Sequence, residues 1–116
     1  MADIKELKKK VIAFRDARDW KQFHNQKDMA LSLVLEAAEV LEHFQWKTTR
    51  ADIEKYAKAH KREIGEELAD VLYWVLAMSH DLGIDLKEAF EKKMEKNAKK
   101  YPIKKAKGKS TKYTKF

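Results

Sequence analysis

A chain of 116 residues is long enough for one modest hydrophobic core and too short for two ordinary domains. It carries no cysteine, which excludes disulfides, thiolate catalysis and cysteine-ligated zinc or iron–sulfur centres. The formal charge of +7 is uneven: eight lysines and no acid stand from position 99 onward, leaving 18 basic against 19 acidic side chains before it.

Three glycines and one proline make turn signals scarce, and abundant Ala, Leu, Glu and Lys favour helices. Ile4, Leu7, Val11 and Phe14 recur at three- and four-residue steps, predicting a first helix from near Asp3 to Arg18 or Trp20. The polar stretch after Trp20 is a connection. A second helix should begin near Lys27 or Asp28 and reach about Trp46, with Leu33, Ala37, Val40, Leu41 and Phe44 on its apolar side. Lys47-Thr48-Thr49-Arg50 breaks that run, and either threonine can cap a weaker polar segment over 51–61. From Arg62 onward, Ile64, Leu68, Val71, Leu72, Val75, Leu76 and Ser79 define a third helix.

Gly83 suits the exit from that helix, because it adopts a left-handed conformation without a side-chain penalty. Asp85 then caps a fourth helix with Leu86, Ala89, Phe90 and Met94 on its buried side, ended by Pro102. The basic segment 103–116 has little to bury and reads as a flexible tail, with Tyr113 and Phe116 able to dock it. Its lysines can attract nucleic acid or simply solvate a chain end. The expected fold is all-α, a compact bundle of four principal helices over 1–102. No apolar leader opens the sequence and charge interrupts every long apolar run, so a soluble cytoplasmic protein is expected.

The chemistry sits in the second and third helices. Glu36 and Glu39 are one helical turn apart, as are Glu67 and Asp70, so each pair presents both carboxylates from one face. Packed together, the four would repel one another and raise their own proton affinities unless a hard divalent cation offset the charge. All-oxygen donors favour magnesium, with manganese able to substitute. Ser32, Glu36, Glu39, His43 and Trp46 follow one stripe, and Glu63, Glu67, Asp70 and Trp74 another. A solvated acidic face can produce such spacing, but Leu33-Val34-Leu35 before Glu36 and Val71-Leu72 after Asp70 put these acids near the core side. A di-iron bundle fits less well, since none of His24, His43, His60 or His80 follows a glutamate by three positions. The dispersed histidines also argue against zinc.

Several segments carry a family likeness: Arg18-Asp19-Trp20-Lys21-Gln22-Phe23-His24, Leu33-Val34-Leu35-Glu36-Ala37-Ala38-Glu39, Phe44-Gln45-Trp46, Glu66-Glu67-Leu68-Ala69-Asp70-Val71-Leu72, Lys93-Met94-Glu95-Lys96-Asn97 and Tyr101-Pro102. In this order the chain resembles the MazG-like all-α nucleoside triphosphate pyrophosphohydrolases, in particular their small dCTP pyrophosphatase branch. The resemblance implies a homodimer or homotetramer whose domain over 1–102 hydrolyses a nucleoside triphosphate to monophosphate and pyrophosphate. It assigns Glu36, Glu39, Glu67 and Asp70 to magnesium. On chemical grounds Glu39, or Glu36 in its place, is expected to activate water. Trp20, Phe23, His24, Trp46 and Trp74 are the candidates for base and sugar; Asn97, Lys93 and Tyr101 are candidates for further nucleotide and phosphate contacts. A pyrimidine deoxynucleotide, dCTP above all, is the expected substrate. Leu35 departs from longer relatives, many of which have another glutamate there. Two other classes compete: a nucleic-acid-binding protein working through its lysine tail, and a metal-stabilised helical scaffold without turnover.

Overall fold

The computed structural model describes residues 2–116, and they form helices without strands. The helices are α1 Ile4–Ala17, α2 Gln26–Glu42, α3 Arg50–Ala59, α4 Lys61–Asp81, α5 Leu86–Lys100 and a single turn, α6 Ile103–Ala106. Short 3₁₀ turns occupy Lys21–Phe23 and Tyr113–Lys115.

Side-chain caps set most of the helix starts, each taking up a backbone N–H that a first turn leaves without an internal partner. Asp3 accepts from the Glu6 amide, Thr49 from Asp52 and Asp85 from Glu88, as their positions in the sequence predict. α2 begins earlier than its apolar pattern suggests, because Asn25 caps it by accepting from the Asp28 amide at 2.9 Å. It also stops earlier, at Glu42 rather than Trp46. The residues beyond it form turns, with the Phe44 amide bonded to the Leu41 carbonyl. The polar segment over 51–61 is a full helix, α3, and His60 both ends it and opens α4. Gly83 leaves α4 at φ +66°, the left-handed exit expected of it.

The chain forms two compact units, one ending at Gly83 and the other Ile84–Phe116. In the first, α2, α1 and α3 all pack on α4. α2 runs antiparallel to α4: its start lies by Trp74, through His24, and its end by Glu67, through His43. Met29, Leu76, Ala77 and Ser79 are buried there. Met29 was absent from the predicted apolar face, whereas Leu68 and Leu72, expected in the core, are substantially exposed. In the second unit, the expected buried side of α5 is likewise open, with Phe90 65% and Met94 51% exposed. The tail folds there into an aromatic cluster in which Tyr101 makes edge contacts with Tyr113 and Phe116, both at 5.7 Å. No helix among the described residues is long and apolar enough to cross a membrane.

Arg15, 1% exposed, is the buried cation of the first unit. Its Nη1 donates to both carboxylate oxygens of Asp81, at 2.9 and 2.8 Å, tying the end of α1 to the end of α4. Burial pushes the Asp81 carboxyl up, but hydrogen bonds from Arg15 and His80, with their charges, outweigh it and hold the group below its usual range. The folded value thus lies below the unfolded one of about 3.9. The stabilisation is present above the unfolded value and is lost as pH falls through the folded one. Arg15→Met should cost about 3–5 kcal/mol at neutral pH by stranding a largely buried carboxylate. Asp81→Asn should flatten the acid limb of the stability profile below about pH 4. Urea titrations of parent and variants at pH 7 and pH 3 measure both effects.

Candidate active site

The antiparallel contact of α2 with α4 places two glutamates against a glutamate and an aspartate. Glu36 is half-buried, and its Oε2 is enclosed without a hydrogen-bond partner. Burial first, then the negative charges of Glu39 and Asp70, a hydrogen bond shared with Glu39 and the charge of Glu67 all raise its carboxyl above the ordinary range. Glu39 and Asp70 are exposed, and Glu67 is half-buried. Among the described residues no three acids or histidines converge as a ready metal cage. An all-oxygen donor set around a buried carboxylate oxygen nevertheless fits a hard divalent cation, whose charge would offset the repulsion that raises the Glu36 carboxyl.

Beside these acids opens a cleft of about 510 Å³, within the size range of small-ligand pockets. Glu36 and Asp70 stand on its wall with Phe14, Trp20, Tyr73 and Trp74, and Lys10 of α1 adds a cation. Phe14 contacts both Trp20 and Tyr73 edge-on, at 5.7 and 6.1 Å, and the Arg18 guanidinium lies 3.7 Å above the Phe14 ring. His24 meets the Trp74 ring edge-on at 5.2 Å, and its Nδ1 is buried without a hydrogen-bond partner. Burial, followed by the charge of Arg15, lowers the pKa of His24, which favours the neutral ring, able to donate from one nitrogen and accept at the other.

The expected nucleotide residues are therefore not all in one place. Trp20 and Trp74 line the cleft and His24 abuts Trp74, while Phe23 is exposed on the neighbouring 3₁₀ turn. Trp46, 84% exposed, lines a different depression with Thr48, Lys55 and Tyr56. Lys93 and Asn97 lie on α5 and Tyr101 caps it, in the second unit. The sequence does not single out Lys10, Phe14 and Tyr73 as site residues. Tyr73 adjoins Trp74 and Phe14 reads only as part of an apolar stripe, while a lysine among the four at positions 5, 8, 9 and 10 gives no signal of its own.

The helical fold and the acidic pairs on α2 and α4 can be set beside known proteins. A crystal structure of a pyrophosphatase from Archaeoglobus fulgidus superposes with a TM-score of 0.83 at 38% identity, covering 88% of this chain and 94% of that one. The MazG-like family model matches residues 31–116, and the chain belongs to the MazG-like family. It is 33% identical to mouse dCTP pyrophosphatase 1 and 34% identical to the human protein, over 112 residues in each case. These alignments take in 96% of this chain, which spans 66% of the length of those relatives.

Because the Glu36 carboxyl is raised in the folded state, its ionisation works against folding. The associated stability is complete below the unfolded value of about 4.3 and is lost as pH rises through the folded value. Glu36→Gln should remove that loss and melt higher than the parent at pH 7 in chelator. Added magnesium should raise the melting temperature of the parent far more than that of the variant. Melting curves at pH 5 and pH 7, with EDTA or magnesium, compare them.

Proposed function

We propose that this chain hydrolyses nucleoside triphosphates between the α and β phosphates, releasing monophosphate and pyrophosphate, with magnesium at Glu36, Glu39, Glu67 and Asp70. The observation that carries the reading is the buried Oε2 of Glu36, without a donor and surrounded by three further carboxylates, on the wall of an aromatic cleft. The similarity to dCTP pyrophosphatase 1 and to an archaeal pyrophosphatase supports cleavage of a phosphoanhydride bond.

Magnesium, or manganese in its place, would supply charge neutralisation at the polyphosphate and Lewis acidity. The four acids would hold it, and the remaining work falls to the chain. Glu39, or Glu36 in exchange, accepts a proton from water as its oxygen attacks the α phosphorus; the bridging Pα–O bond breaks, and pyrophosphate departs with the bond's electron pair. No covalent enzyme intermediate is needed. Trp20 and Trp74 offer aromatic faces to a base, and neutral His24 beside Trp74 offers a donor and an acceptor for a pyrimidine edge. A deoxycytidine nucleotide is the preferred substrate in this reading. Phe23, Trp46, Lys93, Asn97 and Tyr101 are proposed as further contacts from the family resemblance alone.

A second copy of the chain is the proposed partner. Leu31, Val34 and Leu35 on α2 and Leu68 and Leu72 on α4 are exposed, at three- and four-residue spacings that give each helix an apolar stripe. Such continuous apolar surface marks an association face. Light scattering should report a dimer or tetramer for the parent and a smaller species for Leu35→Glu combined with Leu68→Glu; a monomeric parent would reject the assembly.

Asp70→Asn keeps the size of the side chain and removes its anionic oxygen chemistry. It should retain the helical circular-dichroism spectrum and lower magnesium-dependent dCTP cleavage by about 100-fold or more, on the scale of removing one electrostatic stabiliser of a transition state. Chromatography of dCMP and pyrophosphate provides the rate. Parent-like turnover in the folded variant would contradict the assignment, and polyanion binding without any pyrophosphate from the parent would favour the lysine-tail alternative.

A further inference from the structure

His43 closes α2 and touches both neighbouring helices. Its Nδ1 lies 2.7 Å from the Tyr56 hydroxyl on α3, and its Nε2 meets Oε2 of Glu67 on α4. The histidine side chain is only 12% exposed. Nε2 and Oε2 are both buried and lie in close contact, and neither has another partner among the described residues. A carboxylate oxygen accepts, so this pair bonds when Nε2 carries a proton. A Tyr56 hydroxyl that donates to Nδ1 favours that tautomer.

The tyrosine is itself well fixed. His60 stacks on its ring at a centroid distance of 3.9 Å, Phe44 meets it edge-on at 5.8 Å, and the Lys47 ammonium lies 4.0 Å over it. The chain of contacts thus runs from the packing of α3, through one hydroxyl and one imidazole, to one oxygen of Glu67. Of Glu67's two carboxylate oxygens, Oε2 is enclosed and lies against His43 Nε2.

We infer that His43, oriented by Tyr56, is a positioning residue that holds Oε2 of Glu67 so that Oε1 serves the divalent cation bound with Glu36, Glu39 and Asp70. This rests on the cation reading proposed above. The physical basis is the one that governs outer-shell partners generally: a hydrogen bond to a ligating group restricts its orientation, and its loss typically weakens metal affinity by about 10–100-fold. An N–H dipole directed at Glu67 also moderates the repulsion among the acids while leaving one anionic oxygen available.

The test is manganese binding by the full chain, followed by calorimetry and by electron paramagnetic resonance, with His43→Leu, His43→Gln and Tyr56→Phe. His43→Leu should weaken binding about tenfold. His43→Gln removes the same ring but keeps an amide N–H able to reach Glu67, so it should recover much of the affinity. Tyr56→Phe should give an intermediate loss, and nitrogen NMR should find the Nε2-protonated tautomer of His43 in the parent and a mixture in this variant. A role confined to packing predicts equal losses for leucine and glutamine, and that result overturns the inference. Tighter binding in His43→Leu also overturns it, because His43 would then compete with the cation. Should the leucine variant fail to fold, Tyr56→Phe decides: unchanged affinity and an unchanged tautomer reject the relay. Turnover is scored separately. A parent that binds manganese but cleaves no triphosphate sinks the hydrolase reading alone, whereas a parent that binds no manganese overturns the positioning role.

Discussion

Negative charge concentrated where α2 crosses α4 governs this molecule. A packed pair of helices ordinarily keeps ionised side chains on its outer faces, because a buried charge without a partner is costly. Here Glu36 turns a carboxylate oxygen inward, under the influence of three more acids. Protonation or a bound cation would relieve that arrangement, and the proposed chemistry follows from the second solution. The helix packing and the reactivity are thus coupled: α4 supports the first unit and also carries two of the four acids.

Opposite charges are arranged differently. Arg15 and Asp81 neutralise each other at the far end of α4 through a bidentate bond, and the pair needs no external ion. One end of α4 is closed electrostatically and its acidic middle is left open. The aromatic cleft beside Glu36 and Asp70, lined by Trp20, Tyr73 and Trp74, gives the open part a surface suited to a nucleobase. Carboxylates that would hold a cation for the phosphates and aromatic area for a base then stand side by side, the combination the proposed nucleoside triphosphate substrate requires.

Much of this was legible in the residue order because the governing forces are local. Asp3, Thr49 and Asp85 announce helix starts by their capping chemistry, Gly83 announces an exit, and the acidic pairs stand out by their one-turn spacing. The features that escaped depend on distant partners. Arg15 sits among charged neighbours and looks like a solvated residue; its burial depends on Asp81, 66 positions away. The role of His43 required α3 to deliver Tyr56, and α3 has too few apolar positions to advertise its packing. Phe90, Met94, Leu68 and Leu72 show the opposite limit: periodicity marks a face as apolar but does not say whether the same chain or a second one covers it.

The central claim is that water attacks the α phosphorus of a triphosphate at the carboxylate cluster. Hydrolysis of dCTP with magnesium in oxygen-18 water, followed by mass spectrometry of both products, tests it most directly. The account predicts one heavy oxygen in dCMP and none in pyrophosphate. Heavy oxygen in pyrophosphate, or release of dCDP and labelled orthophosphate, would contradict it.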